Sequence, residues 1–127
     1  MKKMITLVLS ALIVSPAMAM KEAKYIQELP NEISSQLDLL TSGALSKIVI
    51  NRLCENKAEK ISKYEVGIKM NEILNEKVPQ NYKSVAYKYV EDAITTKTKA
   101  FKQVYADKSC SDLDNLKSVA WHAGFKN

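Results

Sequence analysis

Histidine and tryptophan each occur once in these 127 residues, cysteine twice, and glycine and proline three times each. A single imidazole excludes a site built on several histidines, and two thiols exclude a four-cysteine zinc centre. There is no Gly-rich phosphate loop, no nucleophile elbow and no Cys-x-x-Cys motif. Flexible Gly/Ser linkers, repeats and low-complexity tracts are missing too. Acidic residues are the minority, 14 against 19 basic, for a net charge of +5 at pH 7. The hydrophobic share of 46% with 26% charged is that of a globular chain with room for one domain.

What is present starts with an address. Met1-Lys2-Lys3 is a short positive segment, and an apolar run from Met4 to Ser15 is interrupted only by Thr6 and Ser10. Pro16 breaks the run, and Ala17-Met18-Ala19 has the small-x-small form that a signal peptidase needs, with cleavage before Met20. Twelve helical residues span ~18 Å, short of a ~30 Å hydrocarbon core. Residues 1–19 are therefore expected to be a cleavable signal peptide and 20–127 a single helical domain exported to the periplasm. Losing Lys2 and Lys3 leaves 17 basic and 14 acidic residues, so the mature charge is 17 − 14 = +3. No later run is long enough for a stable membrane anchor.

Export places Cys54 and Cys110 in an oxidising compartment, where an even pair reads as one disulfide. Redox pairs usually hold their thiols close in sequence, and these two are far apart.

The mature chain is rich in Lys, Glu, Ala, Leu, Ile and Met and lacks alternating β-branched runs, which predicts an all-α fold. A short helix or arm is expected over 20–29. A helix over 31–41 is expected to end near Ser42-Gly43. A stronger helix over 44–60 carries Leu45, Ile48, Val49, Leu53, Cys54, Ala58 and Ile61 as its apolar stripe. Ser62-Lys63-Tyr64-Glu65 has capping-box form, flanked by Ile61 and Val66 as a staple, and starts a helix over 63–76. One continuous helix over 44–76 is the alternative. Pro79-Gln80-Asn81 signals another start. That helix runs to about Tyr105, with Tyr82, Val85, Ala86, Tyr89, Ala93, Ala100, Phe101 and Val104 on its buried face. Ser111 is expected to cap a last helix with Leu113, Leu116, Val119 and Ala120 inward and Gly124 just past its end. The expected architecture is a small orthogonal bundle of four or five helices with one disulfide.

Residues with chemical potential are few. His122 has no partner nucleophile or carboxylate indicated beside it. Glu55 and Glu59, and Glu72 and Glu76, lie one turn apart, as acid–base pairs can. Glu59 with Lys63 and Lys69 with Glu72 instead suit solvated ion pairs. No catalytic residue, metal ligand or cofactor is expected. Lys97, Lys99 and Lys102 beside Phe101 and Tyr105 resemble a nucleic-acid patch, but export and the modest mature charge argue for solubility. Tyr82, Tyr87 and Trp121 are the candidate partner-binding residues, since exposed aromatics are enriched in interfaces.

The segment 44–117 resembles the small periplasmic immunity proteins that neutralise type VI secretion amidase effectors. The resemblance rests on Cys54, on Tyr82-Lys83-Ser84-Val85-Ala86-Tyr87 and on Cys110-Ser111-Asp112-Leu113 followed by Leu116. It implies a disulfide-bridged helical fold that plugs a partner's active site. No counterpart of the residues that enter the effector is found, so none is carried over. Three functions follow as expectations. The first is an immunity or hydrolase-inhibitor protein whose partner is a toxin or cell-wall hydrolase. The second is a periplasmic chaperone or stress protein, and the third a structural accessory of an envelope or phage-related machine.

Overall fold

Lys47 is the only charged side chain among residues 40–51, and a helical segment so poor in charge belongs at the centre of its domain. In the computed structural model, which describes residues 29–126, it holds that place. The described residues contain four α-helices and two 3₁₀ turns, and no strand. These are α1 (Asn31–Glu55), α2 (Glu59–Lys77), α3 (Lys83–Val104) and α4 (Asp114–Ala123), with 3₁₀ turns at Gln80–Tyr82 and Cys110–Asp112. All belong to one unit, Asn31–Asn127, in which α1 packs against α2, α3 and α4. The expected signal peptide, with Ala17, Ala19 and Met20, lies outside the described residues, as do residues 20–28.

Two expected boundaries are corrected. Ser42-Gly43 does not end a helix, and α1 runs through it for 25 residues. Gly43 is there for close packing: a Cβ at this position would fall well inside contact distance of the Ala123 Cβ on α4 and meet the Phe125 ring at 3.2 Å. The next helix likewise stops at Glu55, not Lys60. Asn56 takes a left-handed conformation (φ 54°), which Asn tolerates better than most side chains, and the Lys57 N–H closes back on the Asn51 carbonyl at 3.1 Å. Helices 44–60 and 63–76 are thus separate, but the break lies at 56–58 and α2 begins at Glu59.

Ser62 is therefore no cap. It is fully buried inside α2, and its hydroxyl donates to the Ile48 carbonyl of α1 at 3.1 Å. Thr41 and Ser46 are buried too, their hydroxyls donating to the carbonyls of Leu37 (2.8 Å) and Ser42 (2.7 Å). Such i−4 bonds satisfy a hydroxyl without a partner from another element. The remainder of the α2 stripe lies as its spacing predicts, with Val66, Met70, Ile73 and Leu74 buried.

Pro79 precedes the 3₁₀ turn that leads into α3. On α3 the buried residues are Ala86, Val90 and Thr98, whereas Val104 and Ala100 face solvent. The inward face is rotated by about one position from the expected one. Thr98 is accepted inside because its hydroxyl donates to the Ile94 carbonyl at 2.5 Å. Ser111 does not cap the last helix either. Ser109 caps the preceding 3₁₀ turn through a reciprocal box with Asp112. The Ser109 N–H and then its hydroxyl, each 3.0 Å from Oδ2, hold the Asp112 carboxyl below its usual range. Gly124 ends α4 in the left-handed region (φ 111°), with Gly124 N–H to Trp121 O at 3.0 Å and Phe125 N–H to Ala120 O at 2.9 Å. That pair of bonds is a Schellman closure, and it turns Phe125 back into the core.

The Cys54–Cys110 disulfide is formed, with a Cα–Cα distance of 4.8 Å. It ties the last turn of α1 to the 3₁₀ turn that enters α4. Nearby, Glu59 gathers a cation cluster: it bonds Lys102 of α3, Lys63 at 3.1 Å and Arg52 at 3.9 Å. Lys102 first and Lys63 second hold the Glu59 carboxyl down to about 2. A folded-state value below the usual 4.5 favours the folded protein above pH 4.5, and that contribution is lost as pH falls toward 2. Glu59 is a third exposed, so its contribution is about 1 kcal/mol. Glu59→Gln is expected to melt lower than wild type at pH 7 and to match it near pH 2. A gap that stays constant across a pH series of thermal melts would contradict this.

Candidate functional site

An amphipathic helix should turn one apolar stripe inward and solvate the other side. Helix α2 departs from that rule. Val66, Met70, Ile73 and Leu74 face the core, while Ile61, Tyr64 and Ile68 lie on the opposite side, 53%, 70% and 45% exposed. Their spacing of three and four residues places them in one row along the helix. The expected apolar stripe of the 44–60 helix places Ile61 inward. Starting α2 at Glu59 sets its register so that Ile61 points outward.

Charges flank this row. Glu65 is one turn from both Ile61 and Ile68, and its carboxylate accepts from Lys57 at 2.6 Å. Lys57 also pairs with Glu55 at 3.2 Å, and the bonds to Glu65 and then Glu55 raise its pKa. Lys69 pairs with Glu72 at 3.5 Å.

Beside the same helix lies a cleft of about 380 Å³ whose walls include Lys47, Lys57, Glu65, Lys69 and Lys126. Asn51 also lines it. This residue is 97% buried, and its amide oxygen receives no hydrogen bond among the described residues. An unpaired buried acceptor costs about 1–3 kcal/mol, and a native protein seldom carries one without a reason.

The three aromatic candidates have separate surroundings. Tyr82 ends the 3₁₀ turn and is half-buried. Tyr87 is also half-buried, its hydroxyl donating to Asn71 O at 3.4 Å and lying 3.3 Å from Asn75 Oδ1 on α2. Trp121 is half exposed, with the Lys126 ammonium 5.3 Å from its ring centroid. His122 is exposed, its Nδ1 2.8 Å from the Ser118 carbonyl. Tyr64, the most exposed of the large hydrophobic residues described, was not singled out from sequence. Its signal was the three-and-four spacing with Ile61 and Ile68, readable only once the start of α2 is known.

No group of three or more His, Cys, Asp or Glu side chains among the described residues is placed to hold a metal ion. None of the described helices is long and apolar enough to cross a membrane. Comparison with protein-family models, with curated proteins and with solved structures finds no match to this chain.

Proposed function

We propose that this is an exported periplasmic binding protein that neutralises or inhibits a partner protein, of immunity or hydrolase-inhibitor type. The observation that carries the reading is the outward row Ile61, Tyr64 and Ile68 on a helix whose inward row is already satisfied. Three large exposed apolar residues in one row, with charged side chains beside them, are the kind of surface that suits protein binding. Tyrosine at its centre supplies contact area at low entropy cost. The disulfide and the central packing of α1 suit a rigid body that binds by surface complementarity. The resemblance to periplasmic immunity proteins points the same way.

Exposed apolar surface also suits a periplasmic chaperone, and stoichiometry separates the two. Immobilised protein is expected to retain one partner in equimolar amount from an envelope fraction of the source cell. The triple variant Ile61→Ser, Tyr64→Ser, Ile68→Ser is expected to lose that partner while its stability stays within about 0.5 kcal/mol of wild type, as for surface changes generally. Equal retention by the variant, or retention only of heterogeneous unfolded chains, contradicts the inhibitor reading.

A further inference from the structure

We infer that the groove between α2 and α3 receives a long cationic side chain, arginine or lysine, from the protein partner proposed above. The inference rests on the partner-binding reading and deepens it by naming what the partner presents. The two helices are tied at both ends of the groove. Glu59 bonds Lys102 at one end, and the Tyr87 hydroxyl donates to Asn71 O at 3.4 Å at the other. Between these ties lies a space of about 270 Å³ with Ile48, Val66, Met70 and Ile94 among its walls. That is below the ~300–1,000 Å³ usual for small-ligand pockets, and it suits one side chain. Gly67 keeps the space open. Glycine is a poor helix former, yet a Cβ here would meet nothing within 4 Å, so no packing within the protein calls for it. It also joins the groove to the outward row, lying one turn after Tyr64 and next to Ile68.

Charge decides what enters. Lys63 and Glu91 are the charged residues of the groove. Lys63 is held by Glu59 at 3.1 Å, and Lys88, one turn before Glu91, by Asp92 at 3.5 Å. Glu91 has no cationic partner among the described residues, so its carboxylate is the group that a ligand would meet. The Thr95 hydroxyl, one turn further on and in the same groove, offers a second acceptor. Apolar walls with one uncommitted carboxylate match a side chain that is apolar along its stem and positive at its tip. An acidic side chain would meet like charge, and a purely apolar one would cover Glu91 without a counter-charge.

The test is a titration of ¹⁵N-labelled protein with n-butylguanidinium chloride, which carries the stem and tip of arginine. Guanidinium chloride and n-pentanol are the controls for charge alone and stem alone. n-Butylguanidinium is expected to give saturable shifts at Gly67, Glu91 and Thr95. Each control is expected to bind at least about fivefold more weakly. Glu91→Gln should weaken n-butylguanidinium about fivefold with the melting temperature unchanged, since a pair at the surface contributes modestly. Gly67→Leu should fill the groove and remove the shifts without lowering the melting temperature. The triple variant at Ile61, Tyr64 and Ile68 should bind n-butylguanidinium as wild type does, so failure of the outward row and failure of the groove are read separately. In the complex with the recovered partner, Glu91→Arg should raise the dissociation constant at least about tenfold. Binding of either control as tight as that of n-butylguanidinium, no saturable shift with n-butylguanidinium, or a partner complex indifferent to Glu91→Arg would each overturn the assignment.

Discussion

Replacing Cys54 and Cys110 together by alanine is expected to lower the melting temperature by roughly 15–30 °C. The two residues are 56 apart in sequence. In the chain-entropy description, a link closing a loop of that size stabilises the fold by about 4 kcal/mol. That is a large part of the 5–15 kcal/mol typical of a whole domain. The local consequences add to it. Helix α4 has ten residues, fewer than the ~12–15 at which an isolated helix becomes even marginal, and it depends on its packing against α1. The disulfide anchors the 3₁₀ turn at the entrance to α4, so its loss should loosen α4 first. Thermal melts of the double variant, and of wild type with and without reductant, measure the effect. Reduced wild type should melt like the variant. A shift of less than about 4 °C, the equivalent of 1 kcal/mol, would contradict the structural role.

Gly43→Ala should be nearly as damaging, although in most helix interiors this change stabilises. The added methyl would fall inside contact distance of the Ala123 Cβ, and neither Cβ can rotate away. Helices α1 and α4 would have to separate, opening the core around Phe125. Overpacking of this kind costs about 1–3 kcal/mol, and at the upper half of that range the melting temperature falls by roughly 8–20 °C. Gly67 is the internal control. It too is helical, but a Cβ there meets nothing within 4 Å. Gly67→Ala should therefore stabilise by about 0.5–1 kcal/mol through propensity alone. Ala123→Gly in the Gly43→Ala background should restore most of the loss by returning the missing space. Gly43→Ala melting at or above wild type, or no recovery in the double variant, would contradict the close packing of α1 and α4.

These same glycines show what could be read from sequence and what could not. The all-helical fold, the Cys54–Cys110 bridge, the Val66–Leu74 stripe and Gly124 beyond the last helix follow from local rules: propensity, period, pairing and left-handed closure. Gly43 looked like a terminator because a helix end and a tight helix crossing both select glycine. Only the partner, Ala123, decides between them, and it is 80 positions away. Ser62 failed in the same way. Ser-x-x-Glu suits a cap locally, but the Ile48 carbonyl claims the hydroxyl from another helix. Val90 and Thr98 were missed on α3 because a face built from the aromatic and small residues points about one position away from them.

The outward row on α2 is legible only once the start of that helix is known. With the helix break placed at Ser62, Ile61 belongs to the preceding stripe and Tyr64 to a capping turn. With the break at 56–58, Ile61, Tyr64 and Ile68 form one outward row. The cleft was hidden for another reason. Lys47, Asn51, Lys69 and Lys126 come from three separate segments, and no spacing in the chain announces that they meet.

The most direct test of the account is the dissociation constant of the complex with the recovered partner, measured for wild type and for Tyr64→Ala. A central interface aromatic costs about 2 kcal/mol or more when truncated, so the constant should rise about 30-fold with the melting temperature unchanged. A constant that does not move on Tyr64→Ala would contradict the claim that this protein acts through the outward face of α2.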